Sequence, residues 1–391
     1  MITAVMPTYG RWDVAVDRGE GPCLWATDGH KYLDFTSGIA VTGLGHCHPH
    51  LVAAITEQAK RLWHTSNLFQ IPGQERLAQR LVDNTFADTV FFGNSGAEAC
   101  ELAIKVARKY QSETGHPERY RIIACEGSFH GRTLATLAAA GNEAYLKGFG
   151  PAMDGFDHVA FGNLNEMRAA IGKETAAIFV EPIQGEGGVR AAPSGYLKGL
   201  RDIADEFGLL LVYDEVQSGM GRTGKLFAHE WEGVPPDVMA IAKALGGGFP
   251  IGACLATERA AAGMVPGTHG STFGGNPLAV AAGNAVLDVM LAPGFFERVD
   301  SMAKLLRGRL EALVGSYPKL FAELRGSGLL LGIRCVVPAA DFVAKLRQNG
   351  LLCLTAGENV LRILPPLIVG EAEIEEALGI MHRVAKEWPA P

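Results

Sequence analysis

The chain has 391 residues, of which 48% are hydrophobic and 20% are charged, a composition typical of a folded globular protein. A chain of this length is more often divided into two lobes than built as one, and the cleft between lobes commonly binds a ligand. The formal net charge is -7 and the basic residues are scattered, which argues against nucleic acid as a partner.

The cysteines and the N-terminus bear on the cellular compartment. The 7 cysteines are dispersed and never spaced as CxxC, which favours a reducing compartment over a disulfide framework. The first residues lack the basic start and apolar core of a signal peptide, and no apolar run approaches the length of a membrane span. We therefore expect a cytoplasmic protein without a membrane partner.

The first 50 residues differ in pattern from the rest of the chain. The stretch GPCLWATDGHKYLDF predicts a β-hairpin, with Asp28 and Gly29 in its turn. From about residue 50, amphipathic helical segments such as LVAAITEQAKRLW and AEACELAIKVARKY alternate with short apolar runs. Four runs predict buried, parallel strands: RIIAC at 121, AAIFVEP at 176, GLLLVYDE at 208 and VMAIAK at 238.

The pattern changes again after about residue 285. The segment FFERVDSMAKLLRGRLEALVG predicts a long helix, and GLLLGIRCVV and VLRILPPL come after it in a small α+β region. The sequence therefore predicts an α/β fold, a mostly parallel sheet wound with helices plus a smaller α+β domain. We expect residues 1–50 to join the small domain, residues 51–284 to form the large domain and residues 285–391 to form the small domain.

Two hydroxyl-bearing segments are candidates for binding phosphate. Ser95, Gly96 and Ala97 lie at the start of a clear amphipathic helix, where free backbone N–H groups suit a phosphate. The same residues also fit an ordinary helix cap without a ligand. Ser271 and Thr272, in HGSTFGGNP, stand beside flexible glycines, and alone they indicate only a loop.

Asp214 and Lys243 each come at the end of a predicted buried strand. Parallel strands bring their C-terminal ends to one edge of the sheet, where ligands gather. An aspartate there can keep a pyridine nitrogen protonated, although a helix-capping role is the commoner one. A desolvated lysine has a lowered pKa, and its neutral amine condenses with an aldehyde; the alternative is a lysine whose amine simply reaches water. The pair is more specific than either residue alone.

Two other patterns resemble known sites but are weak. GMGRTG at 219 matches the dinucleotide-binding glycine pattern, but it does not open an evident helix, and Pro235-Pro236 interrupts the segment after it. HCHPH at 46 resembles a metal cluster, but its proline forces a turn that separates the imidazoles. We expect neither a nicotinamide cofactor nor a structural metal.

Six motifs together resemble those of the class III aminotransferases, in the family's order and over nearly the whole chain: NSGAEA, SFHGRT, VEPIQGEGG, DEVQSGMGRTG, AKALGGGFPIGA and GSTFGGNP. The resemblance implies the fold of aspartate aminotransferase and pyridoxal 5'-phosphate as the cofactor. It implies that the cofactor is held covalently by Lys243 and contacted elsewhere by the residues of the same motifs. These are Asp214 at the pyridine nitrogen, Gln217 at the ring hydroxyl, Val216 and Phe129 on the two ring faces, and Ser95, Gly96 and Ala97 at the phosphate, with Thr272 of a neighbouring subunit.

The same resemblance implies which residues bind the substrates. Arg132 in SFHGRT is similar to the arginine that pairs with a substrate carboxylate, and Ser271 is similar to a substrate contact. Arg362 matches a second carboxylate-binding arginine, and Glu186 matches the acid that covers that arginine when an ω-amine substrate is bound. The alternative for these charged residues is surface ion pairing, which usually contributes little.

The resemblance further implies an enzyme that transfers an amino group from a small-molecule amine donor to 2-oxoglutarate, working as a homodimer with shared active sites. Ile39 occupies a position at which the ornithine branch tends to carry an aromatic residue, which disfavours ornithine but leaves 4-aminobutyrate and succinylornithine as donors. The alternatives are another pyridoxal phosphate reaction, such as decarboxylation or racemisation, and a non-catalytic sensor or scaffold. The latter is disfavoured because Lys243, Asp214, Arg132 and Arg362 are all present.

Overall fold

The computed structural model describes residues 3–389 of the chain. The described part of the chain forms 17 strands between Val16 and Ile363. In chain order they are β1 (Val16–Glu20), β2 (Cys23–Ala26), β3 (Lys31–Asp34), β4 (Thr89–Gly93), β5 (Arg121–Cys125), β6 (Phe156–Val159), β7 (Thr175–Val180), β8 (Ile183–Gln184), β9 (Arg190–Ala191), β10 (Leu210–Asp214), β11 (Val238–Ile241), β12 (Gly252–Ala256), β13 (Phe321–Ser327), β14 (Leu330–Cys335), β15 (Leu351–Leu352), β16 (Leu354–Ala356) and β17 (Val360–Ile363).

The α-helices lie between and after the strands. In chain order they are α1 (Ser37–Ala40), α2 (Pro49–Ala59), α3 (Pro72–Asp83), α4 (Gly96–Glu113), α5 (Leu134–Ala140), α6 (Glu143–Leu146), α7 (Leu164–Ala169), α8 (Tyr196–Phe207), α9 (Glu258–Ala261), α10 (Pro277–Met290), α11 (Phe295–Ser316), α12 (Ala339–Gln348) and α13 (Glu371–Lys386). Two single 3₁₀ turns, Ala228–Trp231 and Lys243–Leu245, come after β10 and β11.

A seven-stranded sheet forms the centre of the molecule, with the strand order β4-β12-β11-β10-β7-β5-β6. Strands β6, β5, β7, β10 and β11 run parallel, whereas β12 and β4 are antiparallel to their neighbours. Every residue of β7, β10 and β11 is buried, because helices cover both faces. Helix α4 packs against β11 and β12, and α8 packs against β10 and β7.

Two smaller sheets lie outside the central one. In the first, β1, β2 and β3 form an antiparallel meander, and β15, from late in the chain, pairs in parallel with β3. The second has the order β13-β14-β17-β16 and is antiparallel. Helix α11 packs against β13 and α13, while α12 contacts β15, β16 and β17. Segments from both ends of the chain therefore meet beside the central sheet.

The α/β fold predicted from the sequence is confirmed, and each of the four apolar runs forms a parallel strand of the central sheet. The predicted N-terminal hairpin is β2 and β3, with Asp28 and Gly29 between them. The antiparallel strands β4 and β12 were not predicted, and α2 ends at Ala59, short of the predicted Trp63. The division at residues 50 and 284 stays a prediction, and residues 1, 2, 390 and 391 of its outer parts lie outside the described residues.

Helix length and hydropathy bear on membrane insertion. Within residues 3–389 no single helix is long and apolar enough to cross a bilayer. Helices α10 and α11 reach that length and hydropathy only as a pair, which is bent by 74°.

Candidate active site

A cavity of about 420 Å³ opens where the parallel strands of the central sheet end. Residues from the ends of β10 and β11, the start of α4 and the loops after β5 and β8 surround it. The cavity brings together ten of the residues singled out in the sequence: Ser95, Gly96, Ala97, Phe129, Arg132, Glu186, Asp214, Val216, Gln217 and Lys243.

Asp214 is the last residue of β10, and its carboxylate is almost completely buried. One oxygen accepts a hydrogen bond from the Val216 N–H at 2.9 Å. The other lies 2.8 Å from Nδ1 of His130 and accepts from the Cys100 thiol at 3.4 Å. A carboxylate can accept about four hydrogen bonds, so these three leave room for one further donor facing the cavity.

Lys243 lies just after β11, at the start of a 3₁₀ turn, and is partly buried where it lines the cavity. Its φ of 49° lies in the left-handed region, which costs a residue with a side chain on the order of 1 kcal/mol. Burial, helped by the positive charge of Arg362, lowers the pKa of the Lys243 amine to about 8. The sequence therefore places a partly neutral amine in the cavity, as carbonyl condensation requires.

Helix α4 begins at the cavity. Ser95 caps it by accepting from the Glu98 N–H at 3.2 Å. The N–H groups of Gly96 and Ala97 are in the first turn, where the helix itself offers no carbonyl partner, so they suit an anion. Gly96 is required sterically, because a Cβ there would come within 2.8 Å of the Val216 side chain.

Arg362, on β17, is buried and paired. Its Nη1 donates to Glu186 at 2.7 Å and to the amide oxygen of Gln217 at 3.2 Å. The Arg362 side chain is 3% exposed and that of Glu186 is 30% exposed. Glu186 therefore lies nearer the solvent and covers the buried guanidinium of Arg362. Since the Gln217 oxygen is occupied, its amide nitrogen remains as the donor for a ligand.

Arg132 differs from Arg362 because it is exposed at the cavity and has an aromatic partner. Its guanidinium lies 3.7 Å from the ring centroid of Tyr145 and 5.5 Å from that of Phe129. Stacking on aromatic rings orients a guanidinium while leaving its N–H groups free at the edge. This arrangement suits capture of a carboxylate from the cavity.

Ser271 and Thr272 do not line this cavity within the described chain. The Ser271 hydroxyl accepts from the Asn94 side chain at 3.2 Å and from the Gly274 N–H at 3.0 Å. Asn94 itself lines the cavity, so Ser271 lies one residue away from it. Thr272 is exposed.

Sequence reasoning missed two site residues, Glu181 and His130. Glu181 is buried at the end of β7, lines the cavity and accepts from the N–H groups of Phe129 at 2.8 Å and Gly185 at 3.3 Å. Burial raises the pKa of Glu181 well above its usual range, and the charge of Asp214 adds to this effect. Its position after an apolar strand is the signal that identified Asp214. His130 stands inside SFHGRT, but nothing in the spacing showed that it would contact Asp214.

The two weak patterns have other roles. In GMGRTG, Arg222 is buried and donates to the carbonyls of Leu329 and Pro365. In HCHPH, His46 pairs with Asp34, whereas His50 pairs with Asp288. The two histidines therefore contact different carboxylates.

These residues fit pyridoxal phosphate on three structural grounds. A lysine with a lowered pKa can hold its aldehyde, a buried carboxylate with a free acceptor position can hold its ring nitrogen, and a helix N-terminus can hold its phosphate. Val216 and Phe129 line the same cavity and are suited to packing on a planar ring.

Comparison with known proteins identifies the family. The model of the family described as aminotransferase class-III matches residues 5–385. The chain therefore belongs to the class III aminotransferases, and it is a transaminase that depends on pyridoxal phosphate.

Individual relatives are similar over nearly their whole length. Acetylornithine aminotransferase 1 of Bradyrhizobium diazoefficiens is 61% identical over 97% of this chain and 94% of its own. The crystal structure of N-acetylornithine aminotransferase from Stenotrophomonas maltophilia is 40% identical, with a TM-score of 0.85 and 97% of both chains covered. The structure of ornithine aminotransferase from Toxoplasma gondii is 33% identical, with a TM-score of 0.93 over 98% of this chain and 92% of that chain.

Proposed function

We propose that this enzyme is an acetylornithine aminotransferase of arginine biosynthesis. It transfers the terminal amino group of N2-acetyl-L-ornithine to 2-oxoglutarate and produces N-acetylglutamate 5-semialdehyde and glutamate. The observation that carries the proposal is one cavity with an available Arg132 and an Arg362 paired with Glu186. That arrangement suits a donor with one carboxylate far from its amine. The 61% identity to an acetylornithine aminotransferase supports the particular donor.

The protein's residues divide the chemistry among them. The bound pyridoxal phosphate supplies an aldehyde that bonds to the amine and a ring that accepts electrons. With the cofactor bound, the Lys243 amine, whose pKa is lowered by burial, would take the proton from the amine-bearing carbon of the substrate and give it to the cofactor carbon that keeps the amino group. Asp214 keeps the ring nitrogen protonated, and His130 and Cys100 hold its carboxylate in place.

Two substrates share the site in turn, as a ping-pong reaction requires. Arg132 holds the α-carboxylate of the donor while Glu186 remains on Arg362. Because Glu186 neutralises the charge of Arg362, the terminal amine of the donor can approach Lys243 without repulsion from Arg362. 2-Oxoglutarate has two carboxylates, so its second one displaces Glu186 and pairs with Arg362. Ser271, one residue from the cavity, is a further contact for the substrate.

A second candidate is another ω-amine aminotransferase acting on 4-aminobutyrate, succinylornithine or ornithine. Arg132 and Arg362 would serve those donors equally well. Ile39 argues against ornithine, because the ornithine branch tends to carry an aromatic residue at this position. A non-catalytic cofactor-binding protein is less favoured because it has no need of the Lys243 amine in the cavity or of the Glu186–Arg362 pair.

We also propose a homodimer in which Thr272 completes the phosphate site of the partner subunit. Large apolar side chains are exposed beside Thr272: Leu68 is 91% exposed, Phe69 66% and Phe273 59%. Asn67 ties that segment to the Thr272 loop by donating to the carbonyls of Ser271 and Gly274. Large apolar side chains exposed on linked segments are typical of a surface that binds another protein.

A cytoplasmic location agrees with cysteines that are all free in the structure, six of them buried.

The proposed reaction is tested by supplying 2-oxoglutarate with N-acetylornithine, succinylornithine, ornithine or 4-aminobutyrate and measuring glutamate. The highest kcat/KM is expected for N-acetylornithine. A higher value for another donor would replace it, and carbon dioxide release or racemisation without glutamate would reject transamination.

A further inference from the structure

A second cavity, of about 430 Å³, adjoins the first and shares Phe129 and Glu186 with it. Glu186 is therefore placed between the two cavities, with its carboxylate on Arg362. Among the described residues that line the second cavity, Arg190 is the basic one. The lining of the second cavity thus contains both Glu186 and a cation other than Arg362.

Arg190 is only weakly engaged by its present partner. Its Nη1 is 3.4 Å from Glu358, longer than a charge-assisted hydrogen bond, and its side chain is 32% exposed. Glu358 makes its closer contact with Arg325, which also pairs with Glu323. Arg190 can therefore accept another carboxylate without leaving Glu358 unpaired.

The backbone around Glu186 is held on both sides. Gly185 donates to the buried Glu181 at 3.3 Å, and the Glu186 carbonyl accepts from Gly357 at 2.8 Å. Arg190 lies on β9, directly opposite Gln184 of β8, so the two-stranded hairpin carries both the acid and the second cation. These hydrogen bonds hold the backbone, so rotation of the Glu186 side chain is the smallest movement that frees Arg362.

From these contacts we infer that Arg190 is the partner that receives the Glu186 carboxylate when a dicarboxylate occupies Arg362. The inference rests on the proposed function, in which Glu186 leaves Arg362 for 2-oxoglutarate. Arg190 is then a positioning residue, because it acts on the substrate only through Glu186. An acid displaced without a partner would remain half-buried and charged, which disfavours the dicarboxylate complex.

The test measures binding of glutarate, a dicarboxylate with no amine or ketone, to the cofactor-loaded protein by calorimetry. Arg190→Gln is expected to weaken glutarate binding by about two- to fivefold, the upper part of the range for a partly exposed ion pair. Glu186→Gln should strengthen it, and adding Arg190→Gln to Glu186→Gln should change nothing further. An unchanged affinity in Arg190→Gln, or an equal loss in the Glu186→Gln background, would overturn the inference; the second result would mean that Arg190 contacts the ligand itself.

Glu358→Gln is the matched control, because it breaks the same Arg190 contact from the other side. It should leave glutarate binding unchanged or make it tighter, since it frees Arg190 for Glu186. Weaker binding in Glu358→Gln would instead assign the effect to loss of the Arg190–Glu358 pair and reject the inference.

Reaction with N-acetylornithine, measured on the same proteins, separates the two proposals. If the Arg190 and Glu186 variants change glutarate affinity as expected but N-acetylornithine does not react, the proposed donor is wrong and the role of Arg190 stands. If N-acetylornithine reacts but the variants leave glutarate affinity unchanged, the role of Arg190 is wrong and the proposed donor stands.

Discussion

The ring of His130 contacts Asp214 on one side and Phe179 on the other. Nδ1 lies 2.8 Å from the Asp214 carboxylate, and the ring stacks on Phe179 at a centroid distance of 4.0 Å with an interplanar angle of 18°. Both polar groups are buried. The stack on Phe179 therefore orients the His130 ring, and the His130 ring in turn holds the Asp214 carboxylate that would contact the cofactor.

His130→Phe tests this relationship, because phenylalanine keeps the stack and removes the hydrogen bond. We expect affinity for pyridoxal phosphate, measured by titrating the cofactor-free protein, to fall by about 10- to 100-fold, the usual effect of losing a bond to a buried charge. The control is Cys100→Ala, which removes the longer 3.4 Å contact to the same oxygen and should have a smaller effect. Equal losses in both variants would contradict a special role for His130.

Lys243 makes a prediction about stability and pH in the cofactor-free protein. Its pKa is about 8 when folded against an ordinary value of 10.5, so the unfolded chain binds more protons between these values. Stability must then rise with pH across that interval, because below it the buried amine is forced to carry charge. Lys243→Met removes this penalty, and it should exceed the unaltered protein in stability by about 3 kcal/mol at pH 7.

Urea unfolding of both proteins at pH 7 and at pH 10 measures the difference. The advantage of Lys243→Met should shrink as the pH rises. A difference that is constant with pH would show that the Lys243 amine is not desolvated. Borohydride reduction should attach the cofactor covalently to the unaltered protein but not to Lys243→Met, and mass spectrometry of the two proteins measures the difference.

The two arginines should differ in the substrates they affect. Arg132→Lys loses a stacked, bidentate carboxylate partner, so KM for both the amine donor and 2-oxoglutarate should rise roughly tenfold or more. Arg362→Lys should raise KM for 2-oxoglutarate and glutamate only, because Glu186 keeps Arg362 from the donor. Steady-state kinetics with each substrate varied distinguish these patterns. An equal effect of Arg362→Lys on the donor would contradict the masking role.

The shared active site is tested by complementation between two inactive chains. Lys243→Ala lacks the anchor in its own site, and Thr272→Asp would repel the phosphate in the partner's site. Mixing and reassociating them should restore about a quarter of normal activity, because half the dimers are mixed and each has one intact site. No recovery, with mixed dimers shown by native mass spectrometry, would place Thr272 in the site of its own chain.

Much of the site was predictable because residues that follow parallel strands lie close together at one edge of the sheet. Asp214 and Lys243 lie at the ends of adjacent parallel strands, so the strand pattern alone predicted that they would lie together. The same rule predicts Glu181 after β7. The chemistry of these residues, however, became clear only through the family motifs.

Other features depend on tertiary contacts that leave no local pattern. The antiparallel pairing of β4 with β12 joins segments about 160 residues apart along the chain, and no turn between them signals it. The Glu186–Arg362 contact spans 176 residues, and only the resemblance suggested it. Arg190 and its weak contact with Glu358 have no sequence signal, because any arginine on a short strand reads as a surface charge.

The most direct test of the central claim is the amine half-reaction on the cofactor-loaded protein without any keto acid, monitored by the absorbance of the bound cofactor. N-acetylornithine should abolish the absorbance faster than ornithine or 4-aminobutyrate does, and 2-oxoglutarate should restore it. If another amine reacts while N-acetylornithine does not, the proposed donor is wrong. If no amine changes the absorbance, the protein does not transfer amino groups.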